Sequence, residues 1–246
     1  MPSQVGMSGS VISLLIFRVS SALSALACLA ILGLATASLF SDLYLSLSLQ
    51  RRQHMVVNAY SMRAAELATQ FSPWRANAWM ELAHESSLME HGQLALSASL
   101  KALQRAPADA EKWAVLGRVL GISGQFDSRT ELAIQRTMEL APNKPNLRRQ
   151  IALEGVFWWR AASPEVQKLW AKNIKTSLRT DMPYFLRSIV ASQREKQFCA
   201  DLGAEYKLMQ WCTWAINVRL GCDQSGLKPQ QVTYCSRFGF AVDPNR

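Results

Sequence analysis

Apolar residues recur at three- and four-residue spacing along most of the chain, which is the pattern of amphipathic helices. Prolines lie at the ends of several of these segments, where the proline ring cannot continue the helical hydrogen bonds. Gly92 and Gly124 lie where hairpin turns would fall and can adopt positive φ there. The sequence therefore predicts an all-α chain of paired helices. The predicted helices are Val57–Phe71, Ala76–Met89, Leu94–Arg105, Glu111–Gly121, Ser128–Leu140, Asn146–Arg160, Pro164–Leu178, Tyr184–Ala200 and Ala204–Leu220.

The N-terminal part has a different pattern. Val19–Phe40 is a run of 22 residues without charge, which as a helix reaches about 33 Å and can cross the hydrocarbon core of a membrane. We expect a short tail at 1–18, a transmembrane helix at 19–40 and a juxtamembrane linker helix at 41–56. A cleaved signal peptide is the alternative, because Ala35-Thr36-Ala37 fits a cleavage pattern. No basic cluster precedes the apolar run, however, and its apolar character continues past its end.

A repeat follows the apolar segment. Pro73, Pro107 and Pro142 are 34 and 35 residues apart, and Trp79 and Trp113 are 34 apart. A period of this length indicates stacked supersecondary units, each of which cannot bury its apolar face alone. We therefore expect consecutive helical hairpins that share one continuous core.

The motif W-x-x-L-G stands at 113–117, and the same motif with alanine in place of glycine stands at 79–83. This resembles the tetratricopeptide repeat, a 34-residue helix–turn–helix unit that opens with W-x-x-L-G and closes with proline. The resemblance covers roughly residues 57–180. The third unit lacks the tryptophan and carries Leu147 or Arg148 there. The resemblance implies an α-solenoid. After it we expect a C-terminal helical cap at 181–246, pinned by disulfides.

Tetratricopeptide arrays bind partners through the concave surface formed by the first helix of each hairpin. The resemblance therefore implies a mildly basic groove that suits an acidic peptide or an anionic polymer. The lysine and asparagine set with which some members of the family hold a terminal carboxylate is not reproduced. The positions that the register assigns to the groove are Asn77, Met80, His84, Ala114, Arg118, Arg148 and Arg149.

Four cysteines cluster in the last fifth of the chain: Cys199, Cys212, Cys222 and Cys235. Their spacings of 13, 10 and 13 contain no C-x-x-C pair, so a zinc site is not expected. An even number of clustered cysteines indicates two disulfides, with three pairings open. Disulfides persist in oxidising compartments, which predicts a periplasmic domain in a bacterium.

Charge favours the opposite orientation. Arg51, Arg52 and Arg63 follow the apolar run, whereas only Arg18 and the terminal amine precede it, and positive residues tend to remain cytoplasmic. We give the cysteines more weight because the charge difference is only one or two residues. The net charge is +9, but basic residues are dispersed and lack the interleaved aromatics of single-strand binders, so we expect no nucleic-acid partner.

Motifs of catalysis do not stand out. The chain has no glycine-rich phosphate loop, no H-E-x-x-H and no G-x-S-x-G. We interpret His84 and His91 as ordinary side chains, and Trp74 and Trp170 as structural. Two further aromatic groups, at 157–159 and 211–214, are read mainly as core packing.

The expected function is therefore that of a non-enzymatic scaffold, without cofactor or metal. We expect one span in the inner membrane and partners among the subunits of an envelope machine for polysaccharide assembly or secretion. One alternative is a carbohydrate- or lipid-binding module, or an accessory to an enzyme, centred on the Trp- and Cys-rich C-terminal segment. Another is a cytoplasmic-facing adaptor.

Overall fold

The computed structural model describes residues 8–53 and 59–222, and in these two ranges the chain forms helices and turns and no strand. The fold is all-α, as the hydrophobic pattern predicts. The helices are α1 Ser8–Gln53, α2 Ala59–Phe71, α3 Ala76–Leu88, α4 Gly92–Arg105, α5 Ala110–Ile122, α6 Ser128–Leu140, α7 Pro145–Trp158, α8 Pro164–Ala191, α9 Glu195–Phe198 and α10 Met209–Cys222.

Helix α1 is a single helix of 46 residues, about 69 Å long at the usual rise. Its segment Leu23–Ser48 has a mean hydropathy of 2.2 and is long and apolar enough to cross a membrane. The sequence predicts a span and a separate linker helix. The structure instead continues one helix through both, because neither proline nor glycine interrupts residues 34–53.

The helices pack as consecutive hairpins, α1 with α2, α3 with α4, α5 with α6, and α7 with α8. The first helices of neighbouring hairpins also lie side by side, α1 against α3, α3 against α5, and α5 against α7. This is the arrangement of a tetratricopeptide-like α-solenoid. Residues 41–53 of α1, which were predicted to belong to a separate linker helix, are thus part of the first helix of the array.

The turns follow local sequence. Asp109 and Asp127 cap α5 and α6, each side chain accepting a hydrogen bond from a backbone N–H in the first turn. Gly124 adopts φ +68° between α5 and α6, as expected. Gly92 does not serve this role, because it is already the first residue of α4, and Glu90 takes the positive φ of 62° instead.

Helix α8 joins two predicted helices. Asp181 has non-helical backbone angles inside it, so α8 is kinked there. Pro183 explains the kink, because it lacks an N–H and its ring collides with the preceding turn. Helical geometry then resumes at once, so the predicted break between Leu178 and Tyr184 is a bend and not an end.

The C-terminal part departs most from expectation. The predicted helix Ala204–Leu220 begins only at Met209, because a π-helical turn at Cys199–Gly203 and a turn with positive φ at Lys207 precede it. Cys199 and Cys212 form a disulfide that joins this π-helical turn to α10. Cys235 lies outside the described residues, as does the side chain of Cys222, so the expected second disulfide stays a prediction.

The largest core lies in this C-terminal half. Trp170, Phe185 and Phe198 are fully buried in it, and the rings of Phe185 and Phe198 meet edge to face. The N-terminal hairpins have smaller clusters with many alanines, such as Ala65, Ala83 and Ala98 around Leu82. The array therefore has close-packed helices at its start and an aromatic core at its end.

Candidate partner-binding face

Helices α3, α5 and α7 form one continuous layer of the array, and side chains connect each helix to the next. Between α3 and α5, Lys112 is only 2% exposed, and its ammonium donates to Asn77 Oδ1 at 2.6 Å. The same ammonium lies 2.8 Å from Asp109 Oδ2. Partial burial alone would raise the pKa of Asp109, but hydrogen bonds from Lys112 and the backbone N–H of Glu111 hold it below its ordinary value.

Between α5 and α7, Arg118 Nε donates to Glu154 Oε1 at 3.1 Å. Gln150 donates to the same oxygen at 3.1 Å. Burial raises the pKa of Glu154, and the Arg118 guanidinium and Gln150 offset this only in part. The carboxyl therefore retains its proton to a higher pH than an exposed glutamic acid does.

Arg149 extends the polar series from α7 to α8. Its guanidinium lies 3.0 Å from Asp181 at the kink, and it donates to Asn146 Oδ1 at 2.6 Å. It also lies 5.8 Å from the ring centre of Tyr184, within range of a cation–π contact. Arg149 therefore ties α7 to the kinked part of α8.

Met80 and His84, which the register assigned to the groove, are half-buried on α3. His84 is engaged in an interaction within the chain. Asn77 is exposed and Arg118 is partly accessible, but Asn77 accepts a hydrogen bond from Lys112 and Arg118 donates one to Glu154. Most of the positions that the register assigned to the groove thus hold the helices together as well as facing outward.

Ala114 departs from the assigned groove. It is only 4% exposed and packs in a cluster with Ala110, Ala141 and Leu147. The start of α7 covers it, because neighbouring hairpins approach closely where small side chains meet. Ala114 therefore offers no side chain to a partner.

Arg148 also has another role than expected. Trp79 Nε1 donates to Pro73 O at 2.7 Å, and Trp113 Nε1 donates to Pro107 O at 2.8 Å, six residues apart in both cases. The guanidinium of Arg148 donates to the carbonyl of Pro142, again six residues away. Arg148 thus replaces the tryptophan of the third unit.

The third unit also keeps the leucine and glycine positions of the motif, in the form of other small or apolar residues. This part of the third unit was not predicted. Ile151 and Ala152 follow Arg148 at the spacing at which Leu116 and Gly117 follow Trp113, and both are buried. The signal was present in the 35-residue proline spacing, but the missing tryptophan hid it.

A second concave feature lies at the other end of the molecule. A cavity of about 510 Å³ is lined mainly by apolar side chains of α8 and α10. Trp211 and the partly exposed Trp214 form one wall, and Arg187 supplies a charge. Its lining residues are Met182, Pro183, Leu186, Arg187, Val190, Trp211 and Trp214. In residues 8–53 and 59–222, no group of three or more His, Cys, Asp or Glu side chains is placed to hold a metal ion.

Repeated hairpins, the recurring hydrogen bond to a proline carbonyl and the shared layer of first helices define a tetratricopeptide-like helical-repeat protein. No family model and no curated protein matches this chain. Among solved structures, a crystal structure of MamA is 16% identical, with a TM-score of 0.46, covering 58% of this chain and 81% of that one. A second crystal structure of MamA is 15% identical, with a TM-score of 0.44, covering 66% of this chain and 76% of that one.

Proposed function

We propose that this protein is a single-span membrane protein whose helical repeats recruit other proteins through the layer of α3, α5 and α7. The carrying observation is that α1 contains an apolar stretch suited to a membrane span, within Leu23–Ser48, and that its C-terminal part packs as the first helix of the hairpin array. A partner held by the array would therefore be held at a fixed distance and orientation from the membrane.

Protein binding is the function best supported for the array itself. The layer of α3, α5 and α7 presents half-buried side chains of mixed character, including Met80, His84 and Arg149. A partner peptide could replace solvent there without disturbing the core. Arg118 and Arg149 already pair with Glu154 and Asp181, so an acidic segment in that partner would share these arginines with them.

The compartment is part of the proposal. The disulfide between Cys199 and Cys212 supports an oxidising environment, and we place the domain in a bacterial periplasm on the outer side of the inner membrane. The partners would then be subunits of an envelope machine for polysaccharide biosynthesis and export, or for secretion. This last step is an analogy with other anchored repeat proteins and rests on no side chain of this chain.

Topology is tested by labelling intact cells with a membrane-impermeant thiol reagent before and after reduction. A periplasmic domain gains labelled cysteines only after reduction, without opening of the inner membrane. Labelling that appears only after the inner membrane is opened would instead favour the cytoplasmic adaptor that the arginines after the span suggest. The variant Cys28→Ser removes the background from the cysteine within the apolar segment.

Recruitment is tested by purifying the tagged full chain in mild detergent. We expect one defined membrane complex with the wild type. Met80→Glu should abolish it, because this variant puts a negative charge in place of an apolar side chain on the proposed face. Leu132→Glu is the matched control, because Leu132 is exposed on the second helix of its hairpin. Equal recovery of the complex by both variants would contradict the assigned face.

The cavity between α8 and α10 supports a second candidate, a site for an apolar or sugar ligand stacked on Trp211 and Trp214. Saturable binding of a glycan or lipid to the full chain, abolished by Trp214→Ala, would support it. Absence of such binding would leave the cavity as a feature of the cap.

A further inference from the structure

We propose that the corner between α2 and α3, residues 71–75, rests on the surface of the lipid bilayer, with the indole of Trp74 at the boundary between the headgroups and the hydrocarbon. This inference depends on the proposed membrane span of α1. It adds that the repeat domain contacts the bilayer through residues 71–75 and is not separated from it by a linker.

The first observation is that polar contacts fasten this corner to one level of α1. Ser72 Oγ donates to the carbonyl of Ala37 at 3.4 Å. Arg75 donates to the carbonyl of Ser38 at 3.4 Å, and its guanidinium lies 2.6 Å from Asp42. The corner therefore lies beside residues 37–42 of α1.

The second observation is where that level lies along the apolar helix. Arg18 and Asp42 are consecutive charged residues, so residues 19–41 form 23 uncharged positions. As a helix these reach about 35 Å, compared with about 30 Å for the hydrocarbon core. If this stretch spans the bilayer, its domain-side end falls at residues 37–41. The corner then meets the lipid surface with no intervening linker.

Trp74 reaches further toward the membrane than the rest of the corner. It lines a shallow cavity with Ile31, Leu34, Ala35 and Ser38. Ile31 precedes Ser38 by seven residues, which is about 10 Å along the helix on the membrane side. Trp74 is nevertheless 47% exposed, so its ring is not part of the protein core. Tryptophan concentrates at membrane interfaces because its ring is apolar and its N–H is polar.

The repeat supplies an internal comparison. Trp74 follows the proline of its turn, and the corresponding residues of the next two turns are Ala108 and Asn143. The fold therefore does not require an aromatic residue at this position. Only the turn beside α1 carries one, which is the turn that would face the bilayer.

Basic side chains at the end of α4 lie near this corner. Arg105, at the end of α4, donates to the carbonyl of Pro73. Lys101 lies 4.3 Å from the ring centre of Trp79, one turn earlier on α4. Both side chains are exposed, and positive charge at this level attracts anionic headgroups. Aromatic and basic residues together therefore match the chemistry of a bilayer surface.

The test places the full chain in nanodiscs at one copy per disc, using lipids brominated near the headgroup. Bromine quenches nearby tryptophan emission. Trp74 is one of eight tryptophans, so with equal emission from each its full quenching removes about one eighth of the total. We expect the brominated lipids to quench this share of the emission in the wild type and not in Trp74→Phe. Trp113→Phe is the matched control, because Trp113 lies near the next turn, and it should keep this quenching.

Two results would overturn the proposal. One is equal quenching of the wild type and Trp74→Phe. The other is a Trp74 signal that is missing in single-copy discs and grows with protein density, which would mean that a second copy covers the corner. Flotation with vesicles is scored separately. A chain that floats without a Trp74 signal loses only this inference, whereas a chain that does not float loses the proposed span.

Discussion

At the scale of single residues, Arg148 shows that one side chain can replace the tryptophan of a repeat. An arginine and two tryptophans donate to equivalent proline carbonyls, because each side chain is long enough and ends in an N–H. The sequence predicts the two tryptophan units directly. It does not reveal that arginine is a substitute, since the two residue types share neither shape nor hydrophobicity, and the role depends on a hydrogen bond across the turn.

Two glycines in first helices test the packing at this scale. A Cβ on Gly155 would lie 2.6 Å from Trp170 Cβ and 2.7 Å from its Cγ, which leaves no room. A Cβ on Gly117 would lie 3.6 Å from Ala133 Cβ, an ordinary contact. We expect Gly155→Ala to lower the free energy of unfolding by about 1–3 kcal/mol through overpacking.

Gly117→Ala is the control. We expect it to leave the stability unchanged or to raise it by about 0.5–1 kcal/mol, because alanine is favoured over glycine inside a helix. Chemical unfolding of the full chain, followed by tryptophan fluorescence, measures both. Destabilisation of similar size by both substitutions would show that the α7–α8 approach is not the tighter one.

Glu154 gives the pH prediction. Its pKa is raised by burial, so the unfolded carboxyl ionises at a lower pH than the folded one. The unfolded state thus binds fewer protons in this range, and the free energy of unfolding falls as pH rises from about 4.5 through the raised value. Glu154→Gln removes this loss. The stability of the variant relative to the wild type should therefore be greater at about pH 7 than at about pH 5.

Glu139→Gln is the matched control, since Glu139 pairs with Arg136 at an exposed site. Exposed pairs contribute about 0–1 kcal/mol, so its effect should be small at both pH values. Thermal unfolding of both variants at the two pH values decides the matter. A Glu154→Gln variant whose relative stability falls as pH rises would show that the Arg118 charge outweighs burial.

The individual helices follow the sequence closely until the chain bends. Ser128–Leu140 is predicted to the residue, and its periodicity and its proline are local signals. The kink of α8 is only half predictable, because Pro183 marks a disturbance without saying that the helix resumes. The π-helical turn at Cys199–Gly203 has no local signal in the sequence, and its disulfide partner, Cys212, lies thirteen residues later.

The disulfide between Cys199 and Cys212 sets the prediction for this element. It closes a loop with a sequence separation of 13 residues, for which about 2–4 kcal/mol of stabilisation is typical. We expect Cys199→Ala/Cys212→Ala to lose this amount and to expose Trp211, which packs against Phe198 in the adjoining core. Near-ultraviolet circular dichroism during unfolding measures both effects.

Reducing agent should reproduce the effect in the wild type and should not affect the double variant. A double variant as stable as the wild type would mean that the buried ion pair of Arg219 and Glu195, at 2.6 Å, holds the cap without the disulfide.

The whole molecule combines an apolar helix and a repeat array that the sequence presents as separate parts. Composition reveals the first and periodicity the second. Neither reveals that α1 packs as the first helix of the array, because its contacts are scattered single residues: Phe40 and Tyr44 stack on Phe71, and Ser48 donates to Glu81 at 3.1 Å. At this scale the candidate membrane segment and the layer of α3, α5 and α7 belong to one continuous array of helices.

The most direct test of this account is site-specific photocrosslinking in native membranes. A photoreactive phenylalanine analogue replaces Met80 on the layer of α3, α5 and α7, and Gln104 on the exposed side of α4 in a matched control. The account predicts one discrete crosslinked protein from position 80, in the membrane fraction, and none from position 104. Crosslinking from position 104 alone would contradict it, and so would a crosslinked product that is found only in the soluble fraction.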